Sequence, residues 1–198
     1  MEQIGWVKFV QITPEALVRG EGYDPTRLLE VERLLVGSRG SFGLLADGRR
    51  VMDHHHPDHP RSHNRGDNGL SLGFTQHYRE MRERFGGHMF DGCGAENIII
   101  ETERRVRLAD LQPYVLIRHQ ASGQWIVLNE AKVAEPCDDF AGYATWQSSD
   151  NAEIRAALQF LQHGTRGFYL RVVETAGEGL VQVGDPVFVS AELPEEAT

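Results

Sequence analysis

The chain has 198 residues, of which 40% are hydrophobic and 25% charged, the balance of a soluble globular domain with a real core. A formal net charge of −9 argues against a general nucleic-acid binder, which carries a basic excess. No apolar run approaches the roughly 20 residues of a membrane helix, and Met1 to Val10 lacks the basic-then-apolar order of a signal peptide, so a cytoplasmic protein without a membrane partner is expected.

Residues 1–198 read as a single domain with a core over about 28–189 and an acidic tail at 192–198. Trp6 to Ile12 is a β-type run with partial alternation, stopped by Pro14. Leu28 to Val36 is apolar but broken by Glu30, Glu32 and Arg33, and fits strand or helix; the glycines that follow favour a strand leading into hairpins. Asp47-Gly48 is a turn signal between Phe42–Leu45 and Arg49–Met52. Asp53 to Asn68, rich in histidine and proline, reads as a loop. Phe74, Tyr78, Met81 and Phe85 share one face of a helix ended by Gly86-Gly87. Asn97 to Glu101, Val115 to His119, Trp125 to Leu128 and Ala131 to Ala134 read as strands. A second helix runs from about Ala152 to His163, with Asp150 and Glu153 resembling a capping box and Ile154, Leu158 and Leu161 as its apolar stripe. Phe168 to Glu174 and Leu180 to Val189 close the fold as strands, the second interrupted by a Gly184-Asp185-Pro186 turn. Without regular βαβ alternation, the expected class is mostly β with α (α+β): a mostly antiparallel sheet curled into a barrel, with two main connecting helices.

Dinucleotide, Walker, H-E-x-x-H, C-x-x-C and G-x-S-x-G signatures are absent. His54, His55, His56, His59 and His63 lie among Asp53 and Asp58, residue types that ligate zinc and similar divalent ions. His54, His55 and His59 are candidate ligands, although Pro57 and Pro60 deprive any helical spacing of meaning, and a solvated polar loop is the plainer reading. Cys93, between Gly92 and Gly94, fits either a tight turn or a close approach to a ligand. Two cysteines are too few for a disulfide scaffold, so Cys93 and Cys137 are expected as reduced thiols rather than one bridge. Cys137 stands in A-E-P-C-D-D-F, where Pro136 fixes its direction. Glu135, Asp138 and Asp139 oppose a thiolate, so an active Cys137 needs a cationic partner such as Arg166 or Arg171, or a metal. Its neighbours alone favour an inert structural cysteine.

Three segments, in order, resemble a known family. Gly94-Ala95-Glu96-Asn97-Ile98 resembles the G-E-N-I/L element of MOSC domains, the C-terminal domains of molybdenum cofactor sulfurases and their free-standing bacterial relatives. Glu135-Pro136-Cys137 resembles the element that carries the family cysteine, and Arg166-Gly167-Phe168-Tyr169 followed by V-G-D-P-V-F-V at 183–189 resembles its closing pattern. Asp53-His54 matches an acidic and histidine position after an early glycine-rich hairpin, while the histidine-rich stretch replaces the family's H-G-G-x-D-K or G-D-R-H elements.

The resemblance implies a barrel-like fold and a molybdenum-cofactor (molybdopterin) or sulfur-carrier role. Cys137 would be the catalytic residue, as persulfide carrier or molybdenum ligand, and Gly94, Glu96, Asn97, Arg166 and Gly167 the cofactor-binding set. Arg39, Arg65, Arg118, Lys132 or Arg166 would meet the pterin phosphate. No pyridoxal-phosphate-dependent desulfurase domain is attached, so sulfur would pass to or from another protein. The alternatives are a molybdenum-dependent reductase of N-hydroxylated compounds, a metal- or ligand-binding module without catalysis, and a cysteine hydrolase pairing Cys137 with His119 or His163.

Overall fold

The computed structural model describes residues 1–20, 22–62, 69–173, 178–193 and 195. His63, Arg65 and most of the acidic tail therefore lie outside the described residues. In chain order the elements are β1 (Glu2–Ile12), β2 (Val18–Arg19), β3 (Gly22–Tyr23), β4 (Leu29–Val31), β5 (Arg33–Gly37), β6 (Gly40–Leu44), β7 (Arg50–Met52), β8 (Leu70–Phe74), α1 (Thr75–Phe85), β9 (Ile98–Glu101), β10 (Tyr114–Arg118), β11 (Trp125–Val133), α2 (Asp138–Ala144), α3 (Asn151–Leu161), β12 (Phe168–Val172), β13 (Gly179–Gln182) and β14 (Pro186–Ser190), with short 3-10 turns at Pro25–Arg27 and Leu108–Leu111. No helix among these is long and apolar enough to cross a membrane.

Seven strands form a closed ring in the order β14-β10-β11-β12-β8-β9-β1, with β1 pairing back onto β14. An odd ring cannot alternate strand direction throughout, so the expected mostly antiparallel barrel must hold at least one parallel pair. The exception is β8 against β9, a parallel pair with Leu72 opposite Ile98. Parallel neighbours need a crossover connection, and α1 with the loop to β9 supplies it. A second sheet, β13-β5-β6-β7, packs beside the ring.

The partial alternation of β1 has a physical cause. Its register shifts between Gln3 and Gly5 against β14, and between Val7 and Phe9 against β9. Each bulge inserts a residue, so the core positions Ile4, Val7, Val10 and Ile12 are not evenly spaced. Ile98 and Ile100 of β9 point into the barrel, while Ile99 faces a second core with Tyr78, Met81, Phe140 and Leu161 from the helices. Burial on both faces is the pattern of a parallel strand.

The two main helices form as α1 and α3, and a short third one, α2, is added. α2 is seven residues long, too short to show periodicity, and buries Phe140, Ala141 and Ala144. Phe74 is not part of the α1 stripe: it ends β8 and sits in the barrel core, leaving Tyr78 and Met81 as the buried face. At α3 the Asp150 side chain accepts the Ala152 N–H at 2.7 Å.

Candidate functional site

Strand register brings distant segments to one rim of the barrel. β1 ends where β9 begins, with Val10 opposite Ile98. β8 begins beside β9 and is met by the start of β12, with Tyr169 opposite Ser71. β11 ends there too, with Lys132 opposite Tyr169. Thr13, Ser71, Asn97, Ala134, Cys137 and Arg166 therefore border one cavity of about 200 Å³, roofed by Leu17, Val18 and Tyr23.

The sequence candidates divide clearly. Cys137, Gly94, Glu96, Asn97, Arg166, His54 and His55 line this cavity. Gly167 does not border it but abuts Glu96 from behind. His59 packs its ring on His54 at 4.9 Å, and His56 turns away onto Phe42 at 4.8 Å. Among the described residues no group of three or more His, Cys, Asp or Glu side chains is placed to hold a metal ion. Arg39 pairs with Asp58, Arg118 lies over Trp125, Arg171 pairs with Glu130, and Lys132 projects to solvent; none of them borders the cavity. His119 is held by buried Asp185, and neither it nor His163 borders the cavity with Cys137.

Cys137 is exposed and its thiol is free. It stands at the N-cap of α2 in an extended backbone conformation. Arg166, half-buried, is fixed by donating from Nη1 to the Glu135 carbonyl at 2.7 Å and by lying over the Phe140 ring at 5.3 Å. Its Nε is buried without a hydrogen-bond partner among the described residues. Cys93 is a different kind of cysteine: buried in the helix-side core, its thiol pushed far up by burial and then by the charge of Glu96.

The polar wall is a connected network. Asp53 Oδ2 accepts the Thr13 N–H at 2.8 Å and the Asn97 side-chain amide at 3.1 Å, while Oδ1 accepts the His55 N–H at 2.8 Å and faces His55 Nδ1 at 2.9 Å. Burial pushes the Asp53 carboxyl up, but the His55 ring and the backbone donors outweigh it and hold it below the usual range. Asn97 Oδ1 accepts from Ser71 Oγ at 2.9 Å, and Gln11 Nε2 donates to the Gly92 and Glu96 carbonyls at 2.8 and 2.9 Å, pinning the turn before β9. Glu96 Oε2 accepts from the Tyr78 hydroxyl, which in turn accepts the Gly94 N–H at 3.0 Å. Tyr23 ties the roof down, donating to the Cys93 carbonyl at 2.6 Å and packing on Phe140 and Tyr143. Sequence reading missed Thr13, Ser71, Tyr23, Tyr78 and Tyr169, because polar residues scattered along a chain become a site only through register.

No family model matches the chain, and no curated protein does. Solved structures do match. The YuaD protein from Bacillus subtilis aligns over 94% of this chain and 96% of its own, with TM-score 0.60 and 14% identity. YiiM from Geobacillus stearothermophilus covers 93% of this chain and 74% of its own (TM-score 0.51, 15% identity), and YiiM from Escherichia coli 85% and 67% (TM-score 0.51, 13% identity). At such identities the likeness is one of fold: this chain shares the barrel architecture of YuaD and YiiM.

Proposed function

We propose that this chain is a molybdenum-cofactor module in which Cys137 presents the thiolate that ligates molybdenum or carries sulfur. The observation that carries the reading is that Cys137 and Arg166 border the same cavity. The residues fit the group. Cys137 is a soft donor suited to both sulfur and molybdenum. Arg166 supplies the cation that the acidic neighbours of Cys137 require, and its partnerless Nε fits an anionic group such as a pterin phosphate. When bound, the cofactor supplies a redox-active metal and a soft acceptor for sulfur. The chain's own residues do the rest: the Asp53–Asn97–Ser71 network holds the wall rigid, Leu17, Val18 and Tyr23 limit water, and exposed Cys137 reaches the ligand without opening the core. The barrel fold that the MOSC resemblance implies adds support. The partners in this reading are the small-molecule cofactor and a sulfur-donor or sulfur-acceptor protein in the cytoplasm.

The test is anaerobic purification from a host that makes the cofactor, followed by elemental analysis, pterin fluorescence and intact mass. Molybdenum and pterin are expected in near-stoichiometric amounts, with metal lost in Cys137→Ala and pterin retention weakened in Arg166→Ala. A gain of one sulfur atom on Cys137 without molybdenum identifies the carrier role. Blank pterin and metal together with an unmodified thiol overturn the proposal.

A further inference from the structure

Glu96 is a carboxyl buried in the same wall with 2% exposure. Its two oxygens differ. Oε2 accepts from the Tyr78 hydroxyl. Because the Gly94 N–H donates to that hydroxyl oxygen at 3.0 Å, the tyrosine proton points to Glu96. Oε1 is buried and has no hydrogen-bond partner among the described residues. It lies in a slot between two glycines: a Cβ at Gly94 would stand 2.8 Å from it, and one at Gly167 would stand 3.0 Å away. Gly94 and Glu96 both border the cavity shared with Cys137 and Arg166.

A carboxylate oxygen removed from water without a donor is unfavourable, and protonation relieves it. With Oε2 occupied by the tyrosine proton, the acid proton belongs on Oε1. We propose that Glu96 is a proton donor of the cavity, holding its proton on Oε1 and delivering it to a nitrogen or oxygen atom of the ligand held beside Cys137. The transfer balances simply. The Oε1–H bond breaks, an N–H or O–H bond forms on the ligand, and the electron pair stays on a carboxylate stabilised by the Tyr78 hydroxyl and the charge of Arg166. Burial pushes the carboxyl up to about 7 against the Tyr78 hydroxyl, its own backbone N–H and the charge of Arg166, so the group is ready to exchange a proton near neutrality. The titratable and charged groups facing it are Tyr78 from α1, Tyr23 from β3, Arg166 ahead of β12, and Asp91 and Cys93 in its own turn. The inference rests on the cavity being the ligand site proposed above, while its test needs no cofactor.

The experiment is infrared spectroscopy of the cofactor-free protein across a pH series, with glutamate isotopically labelled to assign the band without a substitution. A protonated-carboxyl band titrating near neutral pH is expected, lost in Glu96→Gln, displaced in Tyr78→Phe, and shifted at once on transfer to heavy water. A band that titrates in the ordinary carboxylate range overturns the proposal. So does a band that resists deuterium, since that proton would be sealed from the cavity. Failure to retain molybdenum and pterin with these spectra intact would remove the cofactor reading alone.

Discussion

Asp53 and Asn97 meet in the wall of the cavity, with the Asn97 amide donating to Asp53 Oδ2 at 3.1 Å. The contact joins the histidine-rich segment to the turn before β9. Asp53 also receives the Thr13 and His55 N–H groups, so one carboxylate organises three segments of chain.

Asp53→Ala is expected to destabilise the protein by about 3 kcal/mol, because it strands buried donors on Thr13 and Asn97. Asp53→Asn, which keeps an acceptor oxygen, should lose less. The native carboxyl lies below its ordinary value. Its contribution is therefore present above the unfolded-state value of about 3.9 and lost as pH falls through the lower native one. Urea midpoints against pH should show the wild type converging on Asp53→Asn only below about pH 4.

Glu96 has the opposite sign. Its native value is raised from 4.5 to about 7 by burial. Its stabilising contribution is complete below 4.5 and is lost as pH rises through about 7. Glu96→Gln should escape that loss, gaining on the wild type by up to about 3 kcal/mol between acid and mildly alkaline pH. Parallel slopes for the two proteins in urea titrations at each pH would contradict this.

The two glycines around Glu96 should respond differently to alanine. At Gly167 a Cβ would meet the Leu72 carbonyl at 2.7 Å, and φ is +131°, in the left-handed region. Neither the backbone clash nor the dihedral can relax, so a loss of about 3 kcal/mol is expected. At Gly94 the crowding is with the Glu96 and Tyr78 side chains. Those give more readily, so the loss should be about 1 kcal/mol, with a displaced Glu96 titration. Thermal denaturation and infrared titration separate the two.

The two thiols should be kinetically distinct. Cys137 is exposed and Cys93 is buried with its thiol pushed up. An aromatic disulfide reagent should react quickly with one thiol per native chain and with the second only on unfolding. Cys137→Ser should abolish the fast phase; a fast phase that survives would place Cys93 within reach of solvent.

Much of the architecture was legible. V-L-I at 115–117 and I-V-L at 126–128 read as strands because β-branched and apolar residues fill a sheet buried on both faces. The histidine stretch read correctly as irregular up to Ser62, since its prolines forbid a helix. α2 escaped because D-D-F-A-G-Y-A completes only two turns; its one signal is Pro136 ahead of acidic residues at 138 and 139, a helix-start pattern too short-ranged to show a helix by itself. Tyr78 was visible as part of an apolar stripe, but nothing in that spacing reveals that its hydroxyl serves Glu96. The β8–β9 parallel pair was hidden because one crossover makes no alternating pattern. The cavity residues at 13, 23, 71 and 169 are ordinary in sequence and meaningful only once the barrel fixes its register.

The ring is shut by β1 lying against β14, with Gln3 opposite Phe188 and Trp6 opposite Pro186. A growing polypeptide emerging from the ribosome holds its first strand without a neighbour on that side until synthesis has passed Ser190. The rim that carries Thr13, Asn97 and Cys137 thus gains its final rigidity only once β14 has been made. A nascent chain interrupted before β14 would leave one edge of β1 open, an invitation to aggregation rather than to ligand binding.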